Sequence, residues 1–218
     1  MFRTILYTQW KWSRLVVVLG AVAAFGLPVL SIGQFGRDQA SRWEVSEMLA
    51  SIQAWGVLYP VLAAFLALLI AALAWAPDHR GRHVYALSLP VPRWHYVLLR
   101  FGAGAVLLVV PVLALWAGTL VAAGAATIPA GLHAYPTTLA LRFALAVLLA
   151  YAVLFAVSSG TARTAGYILA ALAALVVVEM LASVAEVNVH VLGPALLRIF
   201  VWPGPLEVFT GRWMLIDV

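Results

Sequence analysis

His79 and His83 stand four residues apart, the spacing that puts two imidazoles on one helical face as a metal site requires. Arg80 and Arg82 interleave with them, and two guanidiniums repel a divalent cation. No glutamate follows in the HExxH order of a hydrolytic zinc helix. The histidines therefore read as polar groups at a membrane surface, and no metal site is assigned. Glu179 is the second candidate, a carboxylate inside the apolar stretch 165–184, with Ser183 and Glu186 on its face. An acid in such a place is a functional candidate by default. It lies roughly 22 Å along the stretch, near the interface, where a serine or water could satisfy it. A pathway-lining acid and a structural hydrogen bond both remain open for Glu179 and Ser183.

Other chemistry is excluded more simply. The chain has no cysteine, so disulfides, thiolate metal sites and cysteine nucleophiles are out. It has no GxxxxGK[ST] phosphate loop, so any ATP hydrolysis belongs to another chain. A membrane-embedded enzyme would need acids, histidines or a nucleophile converging at one depth, yet only Glu179 is clearly intramembrane and no paired His or Asp accompanies it. No catalytic residue is assigned.

Composition sets the elements that must position these groups. Of 218 residues, 65% are hydrophobic and 10% charged, with a mean hydropathy of +1.04. Soluble domains carry charge on roughly a quarter of their residues. The expected fold is an all-α integral membrane protein, one transmembrane domain over 1–218 with five or six spans of about 20 apolar residues each. The net charge of +5 fits loops facing anionic lipid rather than nucleic acid.

Residues 1–14 are too polar to cross a bilayer, but Phe2, Ile5, Leu6 and Trp10 share a helical face, which suits an amphipathic interface helix. The apolar runs 15–33, 55–76, 101–126, 139–157 and 165–184 are the expected spans. Ser41 to Glu44 fits a capping box opening a short helix before the second span. Ala114, Gly118 and Ala122 form a small-residue face for intrachain packing or a dimer contact. Residues 185–218 hold His190, Gly193-Pro194, Arg198 and Pro203-Gly204-Pro205, and read as an extracytoplasmic or re-entrant segment with a short helix at Ala195 to Trp202.

Lysine and arginine set the orientation. An inside N-terminus leaves Arg3, Lys11, Arg14, Arg80, Arg82, Arg93, Arg100 and Arg163 in the cytoplasm, against Arg37, Arg42, Arg142, Arg198 and Arg212 outside. The stretch 77–100 is then a cytoplasmic hinge. Pro77 and Asp78 end the second span, Val84, Tyr85, Leu87 and Leu89 give an apolar face, and Pro90 stops that helix. Val91 is held extended by Pro92, which can start the helix running from Arg93 into the third span.

Asp78, Gly81, the run Leu87-Ser88-Leu89-Pro90-Val91-Pro92-Arg93 and the basic Arg100 resemble the signature of ABC-2 type transporter permeases. Arg82 stands where threonine is usual and Pro92 where serine is usual. The resemblance implies a coupling helix formed by Asp78, Arg80, Gly81, Arg82, Leu87, Leu89, Pro90, Pro92 and Arg93, contacting a separate ATPase subunit present in two copies. It implies that a second permease, identical or homologous, completes the translocation path. ATP and magnesium would sit on the partner, with no cofactor on this chain. The location implied is the bacterial plasma membrane, multi-pass, N-terminus cytoplasmic. A non-catalytic assembly subunit of a larger membrane complex is the alternative, and an embedded enzyme a more distant one.

Overall fold

The computed structural model describes residues 1–33, 45–80, 92–126, 128, 131–160, 192–201, 203–204 and 206–217, with isolated positions 167, 174, 177 and 178. The described residues form two compact units, one of Met1–Phe155 with Arg212–Val218 and one of Ala156–Gly211.

Apolar runs as long as these can satisfy every backbone group only as helices, and helices they are. Helix α1 spans Phe2–Gly33, α2 Val45–Gly56, α3 Leu58–Arg80, α4 Arg93–Ala125 and α5 Pro136–Ser158. Among the described residues four helices are long and apolar enough to cross a membrane, over Phe2–Ile32, Ile52–Asp78, Arg93–Ala125 and Pro136–Ser158. They coincide with the first four expected spans. The expected fifth span, 165–184, and the capping box at 41–44 lie outside the described residues apart from isolated positions.

The boundaries differ from expectation in three instructive ways. The interface segment 1–14 and the first span are one unbroken helix, because nothing between Arg14 and Leu15 breaks helical geometry. At 1.5 Å per residue α1 is about 48 Å long, so its N-terminal turns outreach a hydrocarbon core of about 30 Å. Pro77 does not end α3, which continues to Arg80; a proline ring clashes with the preceding turn rather than the following one. Pro92 is the N-cap of α4 rather than its first residue, with its carbonyl receiving the amides of His95 and Tyr96.

Within the first unit α1 packs chiefly along α4 and secondarily along α3. The small-residue face of α4 explains the closeness. Gly118 is buried against the Phe25 backbone, where a Cβ would run into the carbonyl, and Ala122 is also buried. At least this part of the stripe serves intrachain packing. On the outward faces Leu15, Leu19, Phe65, Leu68, Val109, Leu113, Leu141 and Leu145 stay exposed, the apolar belt a lipid solvent accepts.

The end of the bundle away from the hinge is closed by residues 212–217. Ile216 and Asp217 pair antiparallel, as β2, with β1 (His133–Ala134), and the Tyr135 amide donates to the Leu215 carbonyl at 2.8 Å. Trp213, Leu215 and Ile216 are buried. The Trp213 ring stacks on Tyr59 with centroids 6.3 Å apart. Gly56 makes room for it, since a Cβ there would meet the Trp213 carbonyl. Arg142, in the second turn of α5, lies over the same indole at 4.7 Å and donates from Nη1 to the Arg212 carbonyl at 2.6 Å.

The second unit holds the short helix α6, Leu192–Phe200, and a 3-10 turn at Glu207–Phe209. The Leu206 amide returns to the Ile199 carbonyl at 2.8 Å, and the Thr210 hydroxyl donates to the Phe200 carbonyl at 2.9 Å. A short helix within 185–218 was expected, and α6 is that helix begun three residues early. Residues 212–217, read from sequence as part of the same segment, belong instead to the first unit.

Candidate functional site

Where α3 and α4 flank the hinge, their facing turns hold a buried polar cluster. Tyr96 and Arg100 are four residues apart and so share one face of α4. That face meets the last turns of α3, which carry Trp75 and Asp78. Arg100 donates from Nη1 to Asp78 Oδ2 in an ion pair, and also to the Tyr96 hydroxyl. The Tyr96 hydroxyl lies 3.3 Å from Asp78 Oδ1 and 3.2 Å from Oδ2, as donor to the carboxylate. Only 3% of Asp78 and 4% of Arg100 is exposed.

Burial at this depth costs several kcal/mol per ion unless the charges are paired and hydrogen-bonded. The cluster meets that condition with one carboxylate, one guanidinium and a phenol between them. Two aromatic faces add to it, since the Arg100 guanidinium carbon is 5.3 Å from the ring centroids of both Trp75 and Tyr96. Desolvated cation–π contacts of this kind contribute on the order of 2 kcal/mol. Trp75 is fixed in turn by α5, donating from Nε1 to the Phe155 carbonyl at 3.1 Å.

The N-terminal helix reaches the same place. Gln9 donates from Nε2 to the Arg100 backbone carbonyl at 3.1 Å, and the Ser13 hydroxyl donates to the Gln9 carbonyl at 2.7 Å. Gln9 Oε1 and Arg100 Nε are buried with no hydrogen-bond partner among the described residues. So α1, α3 and α4 meet at one polar node beside the hinge, and α5 supports it through Trp75.

Of the residues singled out from the sequence, Asp78 lies within this node, its carboxylate paired with Arg100. Arg80 is the last residue of α3. Pro92 and Arg93 open α4 and are exposed. Gly81, Arg82, Leu87, Leu89 and Pro90, and likewise Glu179 and Ser183, lie outside the described residues. Among the described residues no three His, Cys, Asp or Glu side chains come together as metal ligands. Tyr96, Trp75 and Gln9 were not anticipated. Tyr96 had a local signal, its helical spacing to Arg100. Gln9 had only the oddity of an amide on a helix whose other face is aromatic.

No family model, curated protein or solved structure matches the chain.

Proposed function

We propose that this chain is the permease subunit of an ATP-driven transporter of the ABC-2 type, with the stretch from Asp78 to Arg93 as its contact to a separate ATPase. The supporting observation is the polar node at the hinge. A segment that receives force from outside the membrane transmits it only if the helices on its two sides move together. The Asp78–Arg100 pair, bridged by Tyr96, ties α3 to α4 at that point, and Gln9 ties α1 to α4. The three helices are thus coupled where a push would arrive.

In this mechanism ATP-driven closure of two partner subunits presses on the hinge through Arg80, Gly81, Arg82, Leu87, Leu89 and Pro90. Helices α3 and α4 tilt as one lever, opening a path against a second permease in the bacterial plasma membrane. ATP and magnesium stay on the partner, and the N-terminus is cytoplasmic. Glu179 and Ser183 are candidates for the path itself.

The test is a mild-detergent pull-down of the tagged chain with mass spectrometry and ATPase assay of what accompanies it. A stoichiometric ATPase, lost in the R80E/R82E variant, is the expected result. A chain that purifies alone, or with partners lacking ATPase activity, would refute the proposal and leave the assembly-subunit alternative.

A further inference from the structure

The first turns of α1 have one face against α4 and the opposite face uncovered. Gln9, Ser13, Val17 and Ala24 are buried at four- and seven-residue spacings. On the other side Arg3, Tyr7 and Lys11 follow at four-residue steps, with Arg14 three further on, and all four are exposed. The same stripe continues through Leu15, Val18, Val22 and Phe25, also exposed. Because α1 is one unbroken helix, a single face passes from basic to apolar without interruption. No acidic residue precedes Asp38, and α4 and α5 hold none. Arg3, Lys11 and Arg14 form no salt bridge among the described residues.

The apolar part of this face sets the depth of the basic part. From Leu15 to Ile32 the rise is about 26 Å at 1.5 Å per residue, close to a hydrocarbon core of about 30 Å. Headgroups fill roughly 5–8 Å on each side of that core. Arg14 and Lys11, within about 6 Å of Leu15 along the axis, stand in the headgroup layer. Arg3, about 18 Å out, meets only the outer reach of the surface potential, which decays over about 8 Å. Trp10, exposed beside Lys11, has the amphipathic ring that favours this level.

We propose that the Lys11 and Arg14 face of α1 binds anionic phospholipid headgroups in preference to zwitterionic ones. Continuity with the apolar stripe selects lipid over a protein partner, since a molecule whose tails lie against Leu15 and Val18 brings its phosphate to the level of Lys11 and Arg14. In a zwitterionic headgroup an amine cancels the phosphate charge. An anionic headgroup leaves it for two cations that have no acid of their own. Lipid bound here lies on the side of α1 opposite Gln9 and holds those turns at the depth where Gln9 meets the Arg100 carbonyl. The inference rests on α1 crossing a membrane and not on the transporter reading.

The chain has no cysteine, so L15C carries a single fluorophore, excited outside the tryptophan band, at an exposed position of the stripe. The full chain is reconstituted in vesicles of equal parts phosphatidylglycerol and phosphatidylcholine, with quenching bromines on the chains of one lipid and then the other. Stronger quenching by brominated phosphatidylglycerol is expected, with a local enrichment of about fivefold or more, since each basic residue near an anionic surface contributes about that factor. K11Q/R14Q should abolish the enrichment, K11R/R14K should keep it, and R3Q should lower it less than either K11Q or R14Q. High salt should reduce it in the parent without any substitution. Equal quenching by the two lipids, an enrichment indifferent to salt, or one unchanged in K11Q/R14Q would overturn the proposal. Loss of quenching by both lipids when a co-purified protein is present would overturn it too, and make the stripe a protein contact.

Discussion

The two ends of the helical bundle each hold arginine beside tyrosine and tryptophan, yet they use it oppositely. At the hinge end Arg100 is enclosed, matched to Asp78 and roofed by Trp75 and Tyr96. At the far end Arg142, Arg212 and Asp217 border an open cavity. The first arrangement neutralises its charge within the protein, so its energy goes into holding helices together. The second leaves the Arg212 side chain exposed and rests Arg142 on the Trp213 ring. An arginine's residue type says little about its role; the match of charge around it and its access to solvent say most.

That contrast is sharpest under substitution. R100A should have the largest effect, about 3–5 kcal/mol of lost stability, because Asp78 would be left buried and uncompensated. The D78L/R100M double variant should recover much of the loss, and chemical unfolding in detergent followed by circular dichroism reads both. A double variant no better than R100A would mean that the ion pair is not what costs. Trp213→Ala comes next, at about 3 kcal/mol for an emptied aromatic site. Since Tyr59 and Arg142 both rest on that ring, it should also loosen the pairing of β1 with β2, read as faster amide exchange at Tyr135. Unchanged exchange in W213A would show that the strand pair needs no indole platform.

Gln9→Ala should cost about 1 kcal/mol or less, since it removes one hydrogen bond but also a buried carbonyl oxygen that has no partner among the described residues. A loss as large as that of R100A would make α1 a full member of the hinge node. R212Q should change stability by less than about 0.5 kcal/mol, as exposed substitutions do. A large loss there would collapse the distinction between the two ends.

The four long apolar helices were legible because a run of some 20 apolar residues is a long signal that needs no partner to interpret. The ends were less so. Asp78 and Arg100 stood out individually, but their pairing depends on the chain reversing between them, which periodicity does not encode. Gln9 reaches a carbonyl 91 positions away, and no local pattern points there. Residues 212–217 were hidden for another reason. Strands of two residues have no alternation to read, and Trp213 to Ile216 is too short an apolar run to separate from its surroundings. Gly118 was legible as part of a small-residue face, whereas Gly56 had no such signal until the Trp213 backbone that crowds it was in view.

The span of these contacts along the chain also sets an order in time. Asp78 and Arg100 are 22 residues apart, so the hinge node can close while the ribosome is still making α5. The Arg142 bond to Arg212 bridges 70 positions, and β1 waits longer still, since His133 pairs with Asp217. During synthesis the bundle is therefore fastened first at the hinge and only much later at the opposite end. In that interval Arg142 and the unpaired edge of β1 are open to whatever insertion machinery or lipid lies beside them.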